Sequence, residues 1–476
     1  MNLYDLFKQT AARYPEKPAV MEGAKTVSYG ALDALIAKTA EDLQSKGVVP
    51  GQMIGLCFVN SIACIVLTYA LWKLDAAVVP IDVEFKQDEI RQVCEKIPVA
   101  GLIHYKAADS SWTAGACPVA DRSYYFCAMN PPLFPETGIH IAFVRFTSGT
   151  TGERKGVVLS HDRIYERIRS VNRILQIAPD DNVLWILPMS HHFVSTIVLY
   201  LTQGAGIVLA GGIWSRSILE TIRREHVTLL YASPFHYSLL ASDSSGQMMP
   251  SVRLAVSTTI GLPEDIHERF FRRFRLPLSQ AYGIIEIGLV CINTEKPMEK
   301  PASVGRVLPG YQVHVKNETA YGSCNGMACG ELFFTGPGFF DAYFHPWTDE
   351  KAALADGWFE TGDIGGMDEE GFLYLFGRKN HIINTAGIKV FPEEIEGVLN
   401  SHPLVRESFV YGEKHGRFGQ IVSAKVVLRH AGRRIDESAL KAFCGKTLAD
   451  YKVPEKVDFV ERIEKTVSTG KIRRPH

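Results

Sequence analysis

The sequence predicts a large layered α/β N-terminal domain with a β-rich subdomain, followed by a small α+β C-terminal domain. Three observations carry this. Ahead of Val304, helical patterns alternate with short, continuous apolar runs, the texture of strands buried on both faces of a sheet. From Val304 to Gly377 the chain breaks into glycine-punctuated, alternating pieces, which read as β structure. Beyond Arg378 a helix, a strand and a second helix follow in a fresh pattern. At 476 residues, 46% hydrophobic and 22% charged, the chain is long enough for more than one core and has the composition of a globular protein.

Each element has its own reason. In YGALDALIAKTAEDLQ, Tyr29 to Gln44, apolar residues recur at three- and four-residue intervals, predicting an amphipathic helix before the turn at Gly51. IGLCF and AAVVPI are short apolar runs, as are Val183 to Pro188, Gly206 to Ala210 and Thr228 to Ala232, and all suit buried strands. YQVHVK, GELFFTG and GFLYLFG form the β-rich stretch. In the last part PEEIEGVLNSHP reads as a helix, IVSAKVVLRH as a strand and DESALKAFCGKTL as a helix, before the basic tail KIRRPH. The boundary is placed at Gly377 to Asn380, giving residues 1–377 and 378–476.

Composition excludes several classes. A net charge of -1, from 51 basic and 52 acidic residues, provides no overall field for a polyanion, so nucleic acid is not expected as a partner. The longest apolar stretch, Ser61 to Trp72, is shorter than the roughly 20 residues a bilayer span needs. The chain is therefore expected to be not integral to a membrane. The start, MNLYDLFKQTAARYPEKP, does not read as a signal peptide. Nine cysteines without a regular framework point to a reducing cytoplasm. No disulfide and no structural metal are expected, and Cys324 and Cys329 read as turn residues of a glycine-rich loop.

The sharpest local feature is FTSGTTGERKGVVLSH, Phe146 to His161. Thr147, Ser148, Gly149, Thr150, Thr151 and Gly152 offer close-packed backbone N–H groups and hydroxyl donors, with Lys155 as a nearby cation. Such a loop suits a polyphosphate. It is not a Walker A loop, because Gly156 follows Lys155 where that motif needs Ser or Thr. The string resembles the phosphate-loop signature of the adenylate-forming superfamily, which includes acyl- and aryl-CoA synthetases, nonribosomal peptide synthetase adenylation domains and luciferases.

Four further segments resemble that superfamily in the same order. AYGIIEIG matches its Tyr-Gly-x-Thr-Glu motif at Tyr282, Gly283 and Glu286, with Ile285 standing where Thr is usual. The resemblance gives Tyr282 a nucleobase to stack on and Glu286 a Mg²⁺ ion to hold beside phosphate oxygens. WFETGD places Asp363 as the carboxylate that accepts both ribose hydroxyls. GRKNHIINTAGIKVFPEEIE aligns with the hinge: Arg378 on ribose or phosphate, Asn380 at the pivot, and Gly387 and Lys389 on the acceptor side. VSTGKIRR supplies Lys471 as the essential lysine.

The activity implied by the resemblance is ATP-dependent activation of a carboxylic acid to an acyl-adenylate, followed by transfer to a pantetheine thiol, either coenzyme A or a carrier-protein phosphopantetheine. ATP, Mg²⁺ and that acceptor are the cofactors and partners it brings. A nucleotide-binding protein without turnover is the alternative from another class. His191, in LPMSHHFVST, matches a histidine thought to gate the acyl pocket; His192, Thr258, Thr259 and Ile284 are the other pocket candidates, with Thr258, Thr259 and Ile260 replacing a Gly-Gly-Ala. Ser190 to Ser195 holds no Asp to bind an α-ammonium, so the expected acid is fatty or aromatic rather than an amino acid.

Overall fold

The computed structural model describes residues 1–83, 85–105, 117–119, 124–129, 137–146, 155–321, 323–324, 326–344, 346–385, 387–416, 418–429 and 435–464. In it the apolar runs become strands of two mixed sheets. In the first, Gly206–Leu209, Asn182–Trp185, Leu229–Ala232, Leu254–Ser257 and Leu278–Ile284 run parallel and adjacent. In the second, Ala77–Asp82, Met53–Phe58 and Val99–Tyr105 do the same, with Ile141–Phe146 and Gly156–Ser160 continuing the sheet on one side. These strands are buried along most of their length, which is why they read as largely apolar runs.

Helix positions follow from caps and stripes. Tyr29–Ser45 starts where the Ser28 side chain accepts from Ala31 N–H, and buries Leu32, Ile36, Ala40 and Leu43. Ile62–Lys73 is apolar all round and buried on every face, which explains the long apolar stretch without a bilayer. Among the described residues no helix is long and apolar enough to cross a membrane. His161–Leu175, capped by Ser160, buries Ile164, Ile168, Val171 and Leu175, and also a cation, Arg167, on the same stripe.

The glycine-punctuated stretch forms an antiparallel sheet of Gln312–Lys316, Gly330–Thr335, Phe359–Met367 and Leu373–Arg378. A 3-10 turn, Lys379–His381, leads out of it. The last part builds its own sheet around the long pair Val405–His415 and Gly419–Leu428, and its core gathers Ile383, Ile395, Leu399, Val410, Ala424 and Leu440. The basic tail and Lys471 lie outside the described residues, as do Thr147 to Gly152.

The expectation of no disulfide is corrected. Cys324 and Cys329 are bonded to each other across the hairpin Ser323–Cys324 and Met327–Ala328. The hairpin register brings their Cα atoms to 5.8 Å, within the span a bridge requires, a closeness that cysteine spacing alone does not reveal. The bridge packs in a cluster with Ile364 and Phe391, so this hairpin is where the last part of the chain rests on the β-rich sheet.

Candidate active site

The site forms at the carboxyl end of a parallel strand, where ligand sites in open α/β sheets lie. Leu278–Ile284 delivers Tyr282 and Gly283, and the tight turn after it carries Glu286 before Gly288–Ile292 returns. A Cβ at Gly283 would lie 2.3 Å from the carbonyl oxygen of Gly288, so only glycine fits this close crossing. Tyr282 is buried, and its hydroxyl donates to Asp363 Oδ2 at 2.6 Å. Arg378 Nε donates to the other carboxylate oxygen, Oδ1, at 2.7 Å. Three motifs far apart in sequence thus meet at one buried carboxylate.

Burial works against the Arg378 charge, but the Asp363 carboxylate, with Tyr282 and Glu286, outweighs it and holds the guanidinium above its ordinary range. The Tyr282 phenol is pushed up by burial and by Asp363. Beside this cluster, Glu286, Ile284, Arg378 and Asn380 line a cavity of about 240 Å³ with Tyr343, Phe359, Glu360, Thr361 and Gly362. Burial raises the Glu286 carboxyl above the usual 4.5. Tyr343 donates to Glu286 Oε1 at 3.4 Å, and Lys155 Nζ stands 4.9 Å over the Tyr343 ring, linking the end of the phosphate loop to the same place.

The raised Glu286 carboxyl sets a pH dependence. Holding a cation requires the ionised form, and a raised value means that form is lost, as pH falls, earlier than for an ordinary glutamate. The acid limb of kcat/KM for ATP is therefore expected above pH 4.5, and Glu286→Gln is expected to remove it along with most of the rate. A limb at or below the ordinary value, or one that survives the substitution, would take Glu286 out of this role.

His191 lies in a second cluster. Arg145, at the end of Ile141–Phe146, donates from one terminal nitrogen to the His191 carbonyl at 2.5 Å and from the other to His191 Nδ1. Asp82 pairs with Nε2 at 3.2 Å. With Nδ1 accepting, the ring proton sits on Nε2, facing the carboxylate. Arg145 is held down at about 10 by burial, with Glu286 and Asp82 opposing. Arg145→Met removes both donations and is expected to cost about 2 kcal/mol of stability and to raise KM for the acid more than for ATP, as urea unfolding and initial rates would show.

His192 stands 6.0 Å from the rings of both Trp185 and Tyr231, which are stacked on each other, and the Thr258 side chain lies close enough to the Tyr231 hydroxyl to favour its ionised form against burial. Thr259 holds φ +82, a conformation that suits glycine and is costly for a β-branched residue. Gly387 and Lys389, expected on the acceptor side, lie away from this cavity. Gly387 (φ +86) borders a separate open groove of about 740 Å³ with Lys414, His415 and Phe418. Lys389 Nζ rests 3.8 Å over the Tyr321 ring, against the disulfide hairpin.

Sequence reasoning missed Arg145, Arg167, Asp82 and Tyr343. The first two carried a signal, a cation inside an apolar strand and a cation on the apolar stripe of a helix. Asp82 and Tyr343 carried none, since only the fold brings them to the site.

The AMP-binding enzyme family matches residues 7–344, and the AMP-binding enzyme C-terminal domain matches residues 394–471. An uncharacterised acyl–CoA ligase of Bacillus subtilis is 30% identical over 490 residues, covering 100% of this chain and 97% of that protein. The 2-succinylbenzoate–CoA ligase of Bacillus licheniformis is 28% identical and covers 98% of each chain. Indoleacetate–CoA ligase of Aromatoleum aromaticum is 26% identical, covering 100% of this chain and 97% of its own. Among solved structures, ATP-bound MatB from Rhodopseudomonas palustris superposes with a TM-score of 0.86 at 24% identity, covering 99% and 97% of the two chains. The chain belongs to the AMP-binding enzyme family, within the adenylate-forming superfamily. By class it is an AMP-forming acid–CoA ligase.

Proposed function

We propose that this chain activates a carboxylic acid without an α-amino group, fatty or aromatic, and passes its acyl group to the thiol of coenzyme A. The observation that supports this most directly is the Tyr282–Asp363–Arg378 cluster beside the Glu286 cavity. Asp363 takes the ribose hydroxyls, Arg378 faces ribose or phosphate, and Tyr282 presents its ring to the base. Thr147 to Gly152 and Lys155 take the β- and γ-phosphates. The acid's carboxylate oxygen attacks the α-phosphorus, the bond to the β-phosphate breaks, and pyrophosphate leaves while Lys471 spans the two anions.

Glu286 fits a magnesium ion arriving with the nucleotide: it is a hard oxygen donor lining the cavity, and such ions take one or two carboxylates plus phosphate oxygens. When bound, the ion neutralises phosphate charge. In the second half-reaction the thiol sulfur attacks the acyl carbon, the bond to the phosphate oxygen breaks, AMP departs and the thiol proton passes to solvent. Residues 378–476 turn about Asn380 between the halves, presenting Gly387 and Lys389 to the acceptor.

The pocket also favours an acid without an ammonium. Asp82 reaches His191 from another strand, but the Arg145 guanidinium on the opposite ring nitrogen offsets that negative charge. Trp185, Tyr231 and His192 form an aromatic cluster next in sequence and space to His191, and the acyl group is taken to lie against it. A panel of fatty, aromatic and amino acids, scored by pyrophosphate release with and without coenzyme A, is expected to give turnover with the first or second group and none with the third. Turnover confined to amino acids would overturn the substrate reading; no acid-dependent pyrophosphate release at all would favour nucleotide binding without catalysis.

A further inference from the structure

Arg167 belongs to no motif, yet it is 2% exposed in the helix that follows the phosphate loop. Its guanidinium donates to the carbonyl of Ile285 at 2.8 Å, to the carbonyl of Glu286 at 2.7 Å, and through Nε to the carbonyl of Gly338. The socket around it is made by two glycines in the left-handed region: a Cβ at Gly288 (φ +79) would stand 2.9 Å from Arg167 Cδ, and one at Gly338 (φ +68) 2.8 Å from Cγ. Phe340 N–H donates to the Glu286 carbonyl as well, and Glu166 accepts from Gly338 N–H. The turn bearing Glu286 is therefore gripped through its backbone.

We infer that Arg167 is a positioning residue for Glu286, fixing the backbone of the Ile285–Glu286 turn so that the carboxylate points into the cavity. Ile285 has no polar side-chain atom with which to anchor the turn, so the anchoring falls on its carbonyl. Burying a guanidinium is expensive, and cores that need only packing are served as well by apolar side chains of the same size. What an apolar side chain cannot supply is a planar fork of donors that holds two successive carbonyls at fixed spacing, and a lysine ammonium lacks that fork. The link also runs from the phosphate-loop helix to the Glu286 turn, so the groups that meet the triphosphate share one rigid support.

This inference rests on the reading of Glu286 as the carboxylate for Mg-ATP. The test is a double-mutant cycle of Arg167→Lys and Arg167→Gln with Glu286→Gln, reading ATP binding by calorimetry with and without Mg²⁺, and both half-reactions. Each Arg167 variant is expected to lose about 10- to 100-fold in Mg²⁺-dependent ATP binding and in pyrophosphate release. Thioester formation from supplied acyl-adenylate is expected to be unchanged, and adding Glu286→Gln to lower binding no further. Additive losses, or equal loss of both half-reactions, overturn the inference and leave Arg167 a structural residue. If Glu286→Gln alone leaves Mg-ATP binding unchanged, it is the reading of Glu286 that fails. Should the Arg167 variants lose the native unfolding transition, Gly288→Ala carries the same comparison, since it presses on the arginine stem without removing the guanidinium.

Discussion

Lys471→Ala is expected to reduce acid-dependent pyrophosphate release by about two to three orders of magnitude, while thioester formation from supplied acyl-adenylate persists. The first half-reaction brings a carboxylate onto a phosphate, and both are anions. A cation placed across the forming bond acts only where their charges approach, so its loss falls on the rate of that step. Of the cations described around the cavity, Arg378 is committed to Asp363, Arg145 to His191 and Arg167 to three carbonyls, while Lys155, over the Tyr343 ring, is assigned to the departing phosphates. In the second half-reaction a thiol attacks an uncharged acyl carbon, and the same cation has no approaching anion to neutralise. Stopped-flow or single-turnover assays of the two halves separate these cases. Equal loss in both would show that Lys471 supports the fold or the nucleotide in general rather than this one step.

Much of the fold is legible in the sequence because burial writes itself into composition. A parallel strand covered on both faces must be apolar throughout, so Val183 to Pro188 and Thr228 to Ala232 point to the strands Asn182–Trp185 and Leu229–Ala232. The Tyr282, Asp363 and Arg378 motifs point to residues that the fold joins, although Tyr282 and Asp363 are 81 positions apart. Other parts have no local signature. Whether Cys324 and Cys329 bond depends on the register of a two-residue hairpin. Asp82 and Tyr343 acquire meaning only from neighbours on other strands. The position of Lys389 on Tyr321 depends on how the last part of the chain rests against the β-rich sheet, which no periodicity within either part encodes.

Asp363→Ala is expected to weaken ATP binding by about 100-fold, equivalent to roughly 2.7 kcal/mol, and to cost about 3 kcal/mol of stability. Asp363 is 7% exposed and takes Tyr282 on one oxygen and Arg378 on the other. Its removal leaves a half-buried guanidinium without its anion and a buried phenol without its acceptor, so the protein loses stability even with no nucleotide present. Asp363→Asn separates the two losses. The amide oxygen can still accept from Arg378 and the shape is kept, so part of the stability returns, but the second oxygen becomes a donor that meets the Tyr282 hydroxyl and can no longer accept from a ribose hydroxyl. Calorimetric ATP titrations beside urea unfolding of both variants are therefore expected to show stability partly restored in Asn while affinity stays low. Unchanged ATP affinity in Asp363→Ala, with the stability loss intact, would assign the carboxylate to holding Tyr282 and Arg378 alone and remove it from the ribose.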